Sequence, residues 1–353
     1  MRDTIVITNV DSLLGYAIAY HFLKLWNRSQ SNARLTEFRL VCKDKQGLED
    51  LVRLGGKVIQ VQRYDDIDAI REIMQGVYYV MFIPDSDKHS AETGKVVIQA
   101  AKQQNVEYLA MFSYLGVESL QQKETNSFPY LTQYHQLEQQ VEQSFGRENY
   151  CIFRAPLWHQ TFYYFGPMID DRQAIMLPVA KDKKWQTIDL GDLVDAVYNL
   201  SAGEDKSSMC FSQLLVSNLR KENQTVFELT LPDNFTSSEL AASAGQGLQR
   251  HSLKFEQTKA EDVVQYLERI HRDNRFKERP TVVPSSDRDH PSTFPLGQYL
   301  HKGVIKTLIE WWQLIDEGYS IKPTDQLERA INKKPRSIRA FFEVNRDQFR
   351  RLR

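Results

Sequence analysis

The first residues equipped for chemistry form the run Asn9-Val10-Asp11-Ser12-Leu13-Leu14-Gly15, between a short β-branched stretch and a helical one. A dinucleotide needs backbone N–H groups and a helix N-terminus facing its pyrophosphate, and glycines at fixed offsets let the chain come that close. Against a G-x-x-G-x-x-G spacing Gly15 alone remains, with Asn9 and Ser12 in the first two glycine places. Asn accepts positive φ better than other non-glycine residues and Ser is small, so the turn is expected to form. Asp11 argues the other way, because a carboxylate beside the helix start can cap it and compete with an anion. Two readings stand: a loop that still approaches phosphate, and a relic turn capped by Asp11 or Ser12 that holds no nucleotide. Further on, Cys42-Lys43-Asp44-Lys45 sets basic side chains where an acidic residue would take an adenosine 2′-hydroxyl. That favours NADP(H) over NAD(H), unless these lysines are ordinary solvated charges.

Those residues need a frame, and the apolar pattern supplies one. Residues 4–10 read as a strand and 14–25 as a helix with Leu14, Ala17, Ile18, Phe22 and Leu25 on one face. Strands at 38–42, 57–61, 78–83, 108–112 and 150–154 follow, alternating with a charged helix through Leu54 and helices at 67–74, 91–103 and 131–145. Continuous apolar strands separated by helices are parallel strands covered on both faces. The chain therefore reads as a doubly wound, Rossmann-type α/β fold over 1–156 with a smaller mixed α/β part over 157–353. In that second part 156–178 reads as aromatic-rich and irregular, 189–200, 237–247, 260–270 and 302–316 as helices, and 225–231 as a strand. The stretch 272–300 reads as a loop or insertion, and 325–353 as helical.

The aromatic run 158–168 lies beyond the sixth strand, where doubly wound proteins wall a ligand cleft. It either lines a pocket for a small molecule or partner, or packs the second part of the chain. His159 within it is a weak catalytic candidate, since an isolated His among aromatics is more often packed. The eight histidines show no i, i+4 metal spacing with carboxylate support, and no G-x-S-x-G or Walker sequence occurs. No metal site is expected.

A chain of 353 residues with 41% hydrophobic and 26% charged side chains is an ordinary globular one, and its net charge of -1 creates no global pull toward nucleic acid or acidic membrane. Residues 329–353 hold nine Lys or Arg against Glu343 and Asp347, a basic end that either touches an acidic partner or forms a solvated face. Without a helix-turn-helix signature, direct DNA reading is not expected. Cys42, Cys151 and Cys210 are odd in number and widely spaced, which points to a reducing compartment. No run reaches about 18 apolar residues, and the opening residues pass straight into a strand, so a cytoplasmic or nuclear protein without membrane or leader segments is expected.

Several segments, in their order along the chain, resemble the NmrA-like family of atypical short-chain dehydrogenase relatives. Gly76-Val77-Tyr78-Tyr79-Val80 looks like the family's fourth strand, and Met111-Phe112-Ser113-Tyr114-Leu115-Gly116-Val117 like its fifth strand and following loop. Residues 128–142 resemble its active-site helix, Tyr150-Cys151-Ile152-Phe153-Arg154-Ala155-Pro156 its sixth strand and proline turn, and 323–342 its terminal helix pair. The resemblance implies a reductase site or an NADP-sensing co-regulator. Reductase members carry a lysine, in some a Tyr-x-x-x-Lys, that holds the nicotinamide ribose. Here Tyr130-Leu131-Thr132-Gln133-Tyr134 falls in that place, so Tyr134 replaces the ammonium with a phenol. Ser113 stands where the family presents a serine, and Arg63 follows the third strand where many relatives contact the adenine. The resemblance thus adds Tyr130, Tyr134 and Ser113 to His159 of the aromatic run as catalytic candidates. The expected nucleotide contacts are Asn9, Asp11, Ser12, Leu13, Leu14, Gly15, Lys43, Arg63, Pro84, Ser113, Tyr134 and Pro156. NADP(H) is expected to bind weakly or not at all, with a protein partner reading the result. The alternatives are an NAD(P)H-dependent reductase or isomerase, and a nucleotide-free interaction protein.

Overall fold

The computed structural model describes residues 3–29, 36–120, 127–202, 210–277 and 296–351, and most of the expected loop at 272–300 lies outside them. The chain runs β1 (Asp3–Ile7), α1 (Leu13–Ser29), β2 (Thr36–Cys42), α2 (Glu49–Arg53), β3 (Lys57–Gln60), α3 (Ile67–Ile73), β4 (Tyr79–Phe82), α4 (Ser90–Gln103), β5 (Tyr108–Tyr114), α5 (Leu131–Ser144) and β6 (Tyr150–Ala155). It continues through α6 (Gly166–Arg172), β7 (Ala174–Leu177), β8 (Lys184–Trp185), α7 (Leu190–Ala202), α8 (Phe211–Lys221) and β9 (Val226–Glu228). Then come β10 (Phe235–Thr236), α9 (Ser237–Leu248), β11 (Lys254–Gln257), α10 (Ala260–Arg272), α11 (Lys302–Asp316), α12 (Gln326–Ile331), α13 (Ile338–Val344) and α14 (Arg346–Arg351). Two compact units share these elements: Met1–Val117, Thr132–Arg154 and Val194–Glu228 form one, and Glu118–Leu131, Ala155–Leu193 and Leu229–Arg353 the other.

The first unit is a Rossmann-type sheet in the order β3-β2-β1-β4-β5-β6-β9. Residues of β1, β4 and β5 are buried throughout, as parallel strands covered on both faces must be. Val6, Val41, Val80, Leu109 and Met111 from the strands pack with Val97, Ile98, Leu137 and Val141 from α4 and α5. The chain winds from β1 outward through β2 to β3, then returns to β4 on the other side of β1. That reversal leaves a crevice at the carboxyl ends of β1 and β4, the place where such sheets bind ligands.

The strand read at 225–231 extends this sheet rather than building the later part: β9 runs parallel to β6, with Ile152 opposite Val226. Arg154 helps to fasten it, pairing with Glu138 at 2.6 Å and with Glu228 at 3.6 Å.

In the second unit β7 pairs with β11 in parallel and β8 with β10 antiparallel. The stretch read as irregular, 156–178, is ordered: His159–Phe165 is a 3-10 helix with every residue buried, followed by α6 and β7. Burial of its rings supplies the order that periodicity does not reveal. Phe162 lies against Trp185 and Phe342, and Tyr163 stacks on Phe349 with centroids 4.9 Å apart. No described helix is long and apolar enough to cross a membrane.

Candidate functional site

The turn from β1 into α1 forms without its first two glycines. Asn9 adopts φ 53°, the left-handed conformation that asparagine tolerates. Its N–H donates to the Tyr64 hydroxyl at 2.8 Å, and its side-chain amide donates to the Pro84 carbonyl at 3.2 Å. The Ser12 hydroxyl donates to the Asn9 carbonyl at 2.7 Å and accepts the Gly15 N–H at 3.1 Å. Ser12 is thus the N-cap of α1, its oxygen reaching the third helical amide. Gly15 is irreplaceable, because a Cβ there would lie 2.1 Å from the Asn9 carbonyl oxygen. The amides of Leu13 and Leu14, in the first turn, have no acceptor within the helix and stay available to an anion. On these observations the residues present fit a pyrophosphate.

Asp11 does not cap the helix as its position suggested. Its carboxylate accepts the backbone N–H groups of Lys43 and Asp44, each at 2.9 Å, and so anchors the turn after β2. Ser12 reaches the helix amide first, which leaves Asp11 for this second task. Burial pushes the Asp11 carboxyl above its ordinary range, against those two hydrogen bonds. Its Oδ1 is buried with no hydrogen-bond partner.

Lys43 and Lys45 follow β2 as expected, and the Lys43 ammonium is ion-paired with Asp85, beyond β4. Arg63 pairs with its neighbour Asp65, its side chain largely exposed. Ser113, on β5, is fully buried, and its hydroxyl has no hydrogen-bond partner among the described residues.

Tyr134, in the first turns of α5, is buried. Its hydroxyl shares a hydrogen bond with the Ser86 hydroxyl at 3.1 Å, and its ring meets Tyr114 edge-on at 4.9 Å. Burial drives its phenol well above the ordinary tyrosine range, so it stays neutral at physiological pH. It offers neither a base nor a positive charge.

The remaining expected site residues belong to the second unit. Tyr130 stands immediately before α5, and Pro156 follows β6. The N–H groups of Tyr130 and Leu131 donate to the Glu310 carboxylate of α11 at 2.8 and 2.9 Å. Burial raises the Glu310 carboxyl to about 7. His159 is fully buried, with Nδ1 on the Thr187 hydroxyl at 2.7 Å and Nε2 on the Arg336 carbonyl at 3.1 Å. A carbonyl only accepts, so Nε2 carries the hydrogen and Nδ1 takes one from Thr187. Burial lowers its pKa to about 4, and a neutral, doubly bonded imidazole is a structural residue.

Tyr64, Asp85, Ser86 and Glu310 escape the sequence reading. Each acts through a partner far away in the chain. For Asp85 and Ser86 a cue existed, since they follow the carboxyl end of a strand beside the crevice. Among the described residues no group of three His, Cys, Asp or Glu could hold a metal ion.

Residues 29–160 match the model of an NAD(P)H-binding family, a stretch that begins after the turn into α1. No curated protein matches the chain significantly. A nucleoside-diphosphate-sugar epimerase from Staphylococcus aureus shares the fold at 15% identity and TM-score 0.67, over 97% of this chain and 99% of that one. An NADPH-dependent quinone oxidoreductase from Escherichia coli, solved with NADPH, shares it at 15% identity and TM-score 0.63, over 96% and 98%. NmrA, a negative transcriptional regulator solved with NADP, shares it at 12% identity and TM-score 0.59, over 97% and 94%. In fold this chain resembles all three of these proteins, NmrA among them, and its residues 29–160 match the NAD(P)H-binding family model.

Proposed function

We infer that this chain is an NADP(H)-binding regulatory module that senses the nucleotide, acts through a protein partner and does not transfer hydride. The observation that carries the reading is Tyr134: a neutral, buried phenol bonded to Ser86 stands where a ribose-holding ammonium is expected. The turn into α1 keeps its shape through Asn9, Ser12 and Gly15. Binding groups and chemical groups have thus been lost to different degrees.

In this reading the amides of Leu13 and Leu14 hold the pyrophosphate and Lys43 takes the 2′-phosphate. When bound, NADPH supplies a hydride on its nicotinamide and a phosphate charge at its adenosine end. Without an ammonium at position 134 the ribose loses one anchor, so the affinity is expected to be micromolar or weaker. NmrA, a regulator, and the quinone oxidoreductase share the fold, so the fold alone does not choose between their roles. The reductase alternative draws on the Ser113 hydroxyl, which is buried with no hydrogen-bond partner among the described residues.

Calorimetric titration with NADPH, NADP and NADH tests the binding half of the proposal, and absence of heat with all three overturns it. Incubation with NADPH and a panel of quinones and enones tests the other half. No substrate-dependent oxidation is expected, and sustained turnover would establish the reductase reading instead.

A further inference from the structure

Three consecutive residues after β4 are each fastened to a different part of the site. Pro84 accepts the side-chain amide of Asn9 from the β1 turn at 3.2 Å, Asp85 holds the Lys43 ammonium from the β2 turn, and Ser86 bonds the Tyr134 hydroxyl of α5 at 3.1 Å. Upstream, Thr8 and Ile83 exchange two hydrogen bonds at 3.1 and 2.8 Å, so the segment leaves the sheet already tied to β1. In the sheet β1 lies between β2 and β4. The Lys43–Asp85 pair therefore joins the turns on either side of β1, across the strand end from which the α1 turn rises.

Lys43 is free to change partner without moving its backbone. Its N–H is held by Asp11 at 2.9 Å, and its carbonyl accepts from the Gln60 side chain at 2.8 Å. Four methylenes separate that fixed root from the ammonium, and the Lys43 side chain is 41% exposed against 12% for Asp85. The lysine can swing toward solvent while the carboxylate, held by the bonds of Pro84 and Ser86, stays. A phosphate dianion arriving at Lys43 meets an ammonium already neutralised and a fixed negative charge behind it.

We propose that Asp85 is a built-in stand-in for the cofactor's 2′-phosphate, holding Lys43 in the nucleotide-free protein and competing with that phosphate for it. Asp85 then sets how strongly the site prefers a 2′-phosphorylated nucleotide. The proposal rests on the nucleotide-binding reading above and adds a residue that limits its affinity.

Adenosine 2′,5′-bisphosphate and AMP, titrated into the full chain by calorimetry, isolate the 2′-phosphate from the nicotinamide. Asp85→Asn should raise the ratio of bisphosphate to AMP affinity about three- to fivefold, the effect of removing one competing, partly exposed ion pair. Asp85→Ala is the second variant should the first fold poorly, with circular dichroism as the check. In a Lys43→Gln background the same Asp85 substitution should raise the ratio much less, because only direct repulsion by the carboxylate remains and no ammonium is contested; an equal rise in both backgrounds overturns the competition for Lys43. NADPH binding with an unaltered ratio in both Asp85 variants overturns the stand-in and leaves the nucleotide reading standing. If wild type and variants bind none of AMP, the bisphosphate or NADPH, both fall.

Discussion

At Gly15 the missing side chain is a steric requirement, since a methyl group would lie 2.1 Å from the Asn9 carbonyl oxygen and 2.7 Å from its carbon. Both contacts are with backbone, which cannot rotate aside, so Gly15→Ala must push the first turn of α1 away from the end of β1. The expected penalty is about 2–3 kcal/mol, in the range of an overpacked core position, read as a lower urea midpoint. NADPH affinity should fall with it, and an unchanged midpoint would mean that the turn is looser than its hydrogen bonds imply. At this scale Asn9, Ser12 and Gly15 were legible in the sequence because backbone conformation and capping act within a few residues. Asp11 was legible as a reactive position but not in its partners: the amides it holds lie 32 and 33 residues further on. A carboxylate's identity says that it will accept hydrogen bonds and does not say from where.

Elements come together at Tyr64, between β3 and α3, whose buried hydroxyl receives the Asn9 N–H at 2.8 Å and donates to the Val41 carbonyl at 3.1 Å. One oxygen thereby joins the turn after β1 to the end of β2. Tyr64→Phe keeps the ring and strands the buried Asn9 N–H, while the Val41 carbonyl keeps the Val10 N–H at 3.0 Å, for a loss of about 1–3 kcal/mol. Hydrogen exchange at the Asn9 amide should speed up markedly while amides in the middle of β5 change little, and equal protection at Asn9 would remove Tyr64 from this role. The alternating strands and helices of 1–156 were readable because each buries a continuous apolar face large enough to leave a pattern. The two-residue strands β8 and β10 leave none, as pairing rather than periodicity defines them. Helix α8 carries such a face too, in Phe211, Leu215, Val216 and Leu219, and the sequence reading passed over it. β9 was visible as a strand but not as the sheet's edge, because neighbours in a sheet are chosen by tertiary packing.

At the scale of the whole molecule, two buried groups in the second unit bend stability against pH in opposite directions. Glu310 ionises in the folded chain at about 7 rather than the ordinary 4.5, so between those values the folded state keeps a proton that the unfolded state has released. Stability from this group therefore falls as pH rises through that window and rises on acidification. His159 is displaced the other way, to about 4 from 6.5, so between those values the unfolded state binds a proton that the folded state refuses, and acidification destabilises. The windows overlap between about 4.5 and 6.5, where each group contributes a slope of up to about 1.4 kcal/mol per pH unit with opposite sign. Wild-type stability should vary little from these two sources there. Glu310→Gln keeps the size of the side chain, removes its titration and should expose the histidine: the urea midpoint drops more steeply than in wild type between pH 6.5 and pH 5. His159→Gln should do the reverse and gain on acidification relative to wild type. Parallel midpoint curves for wild type and Glu310→Gln would show that the carboxyl at the start of α5 titrates as an ordinary glutamate, and that the amides of Tyr130 and Leu131 hold a charged carboxylate throughout.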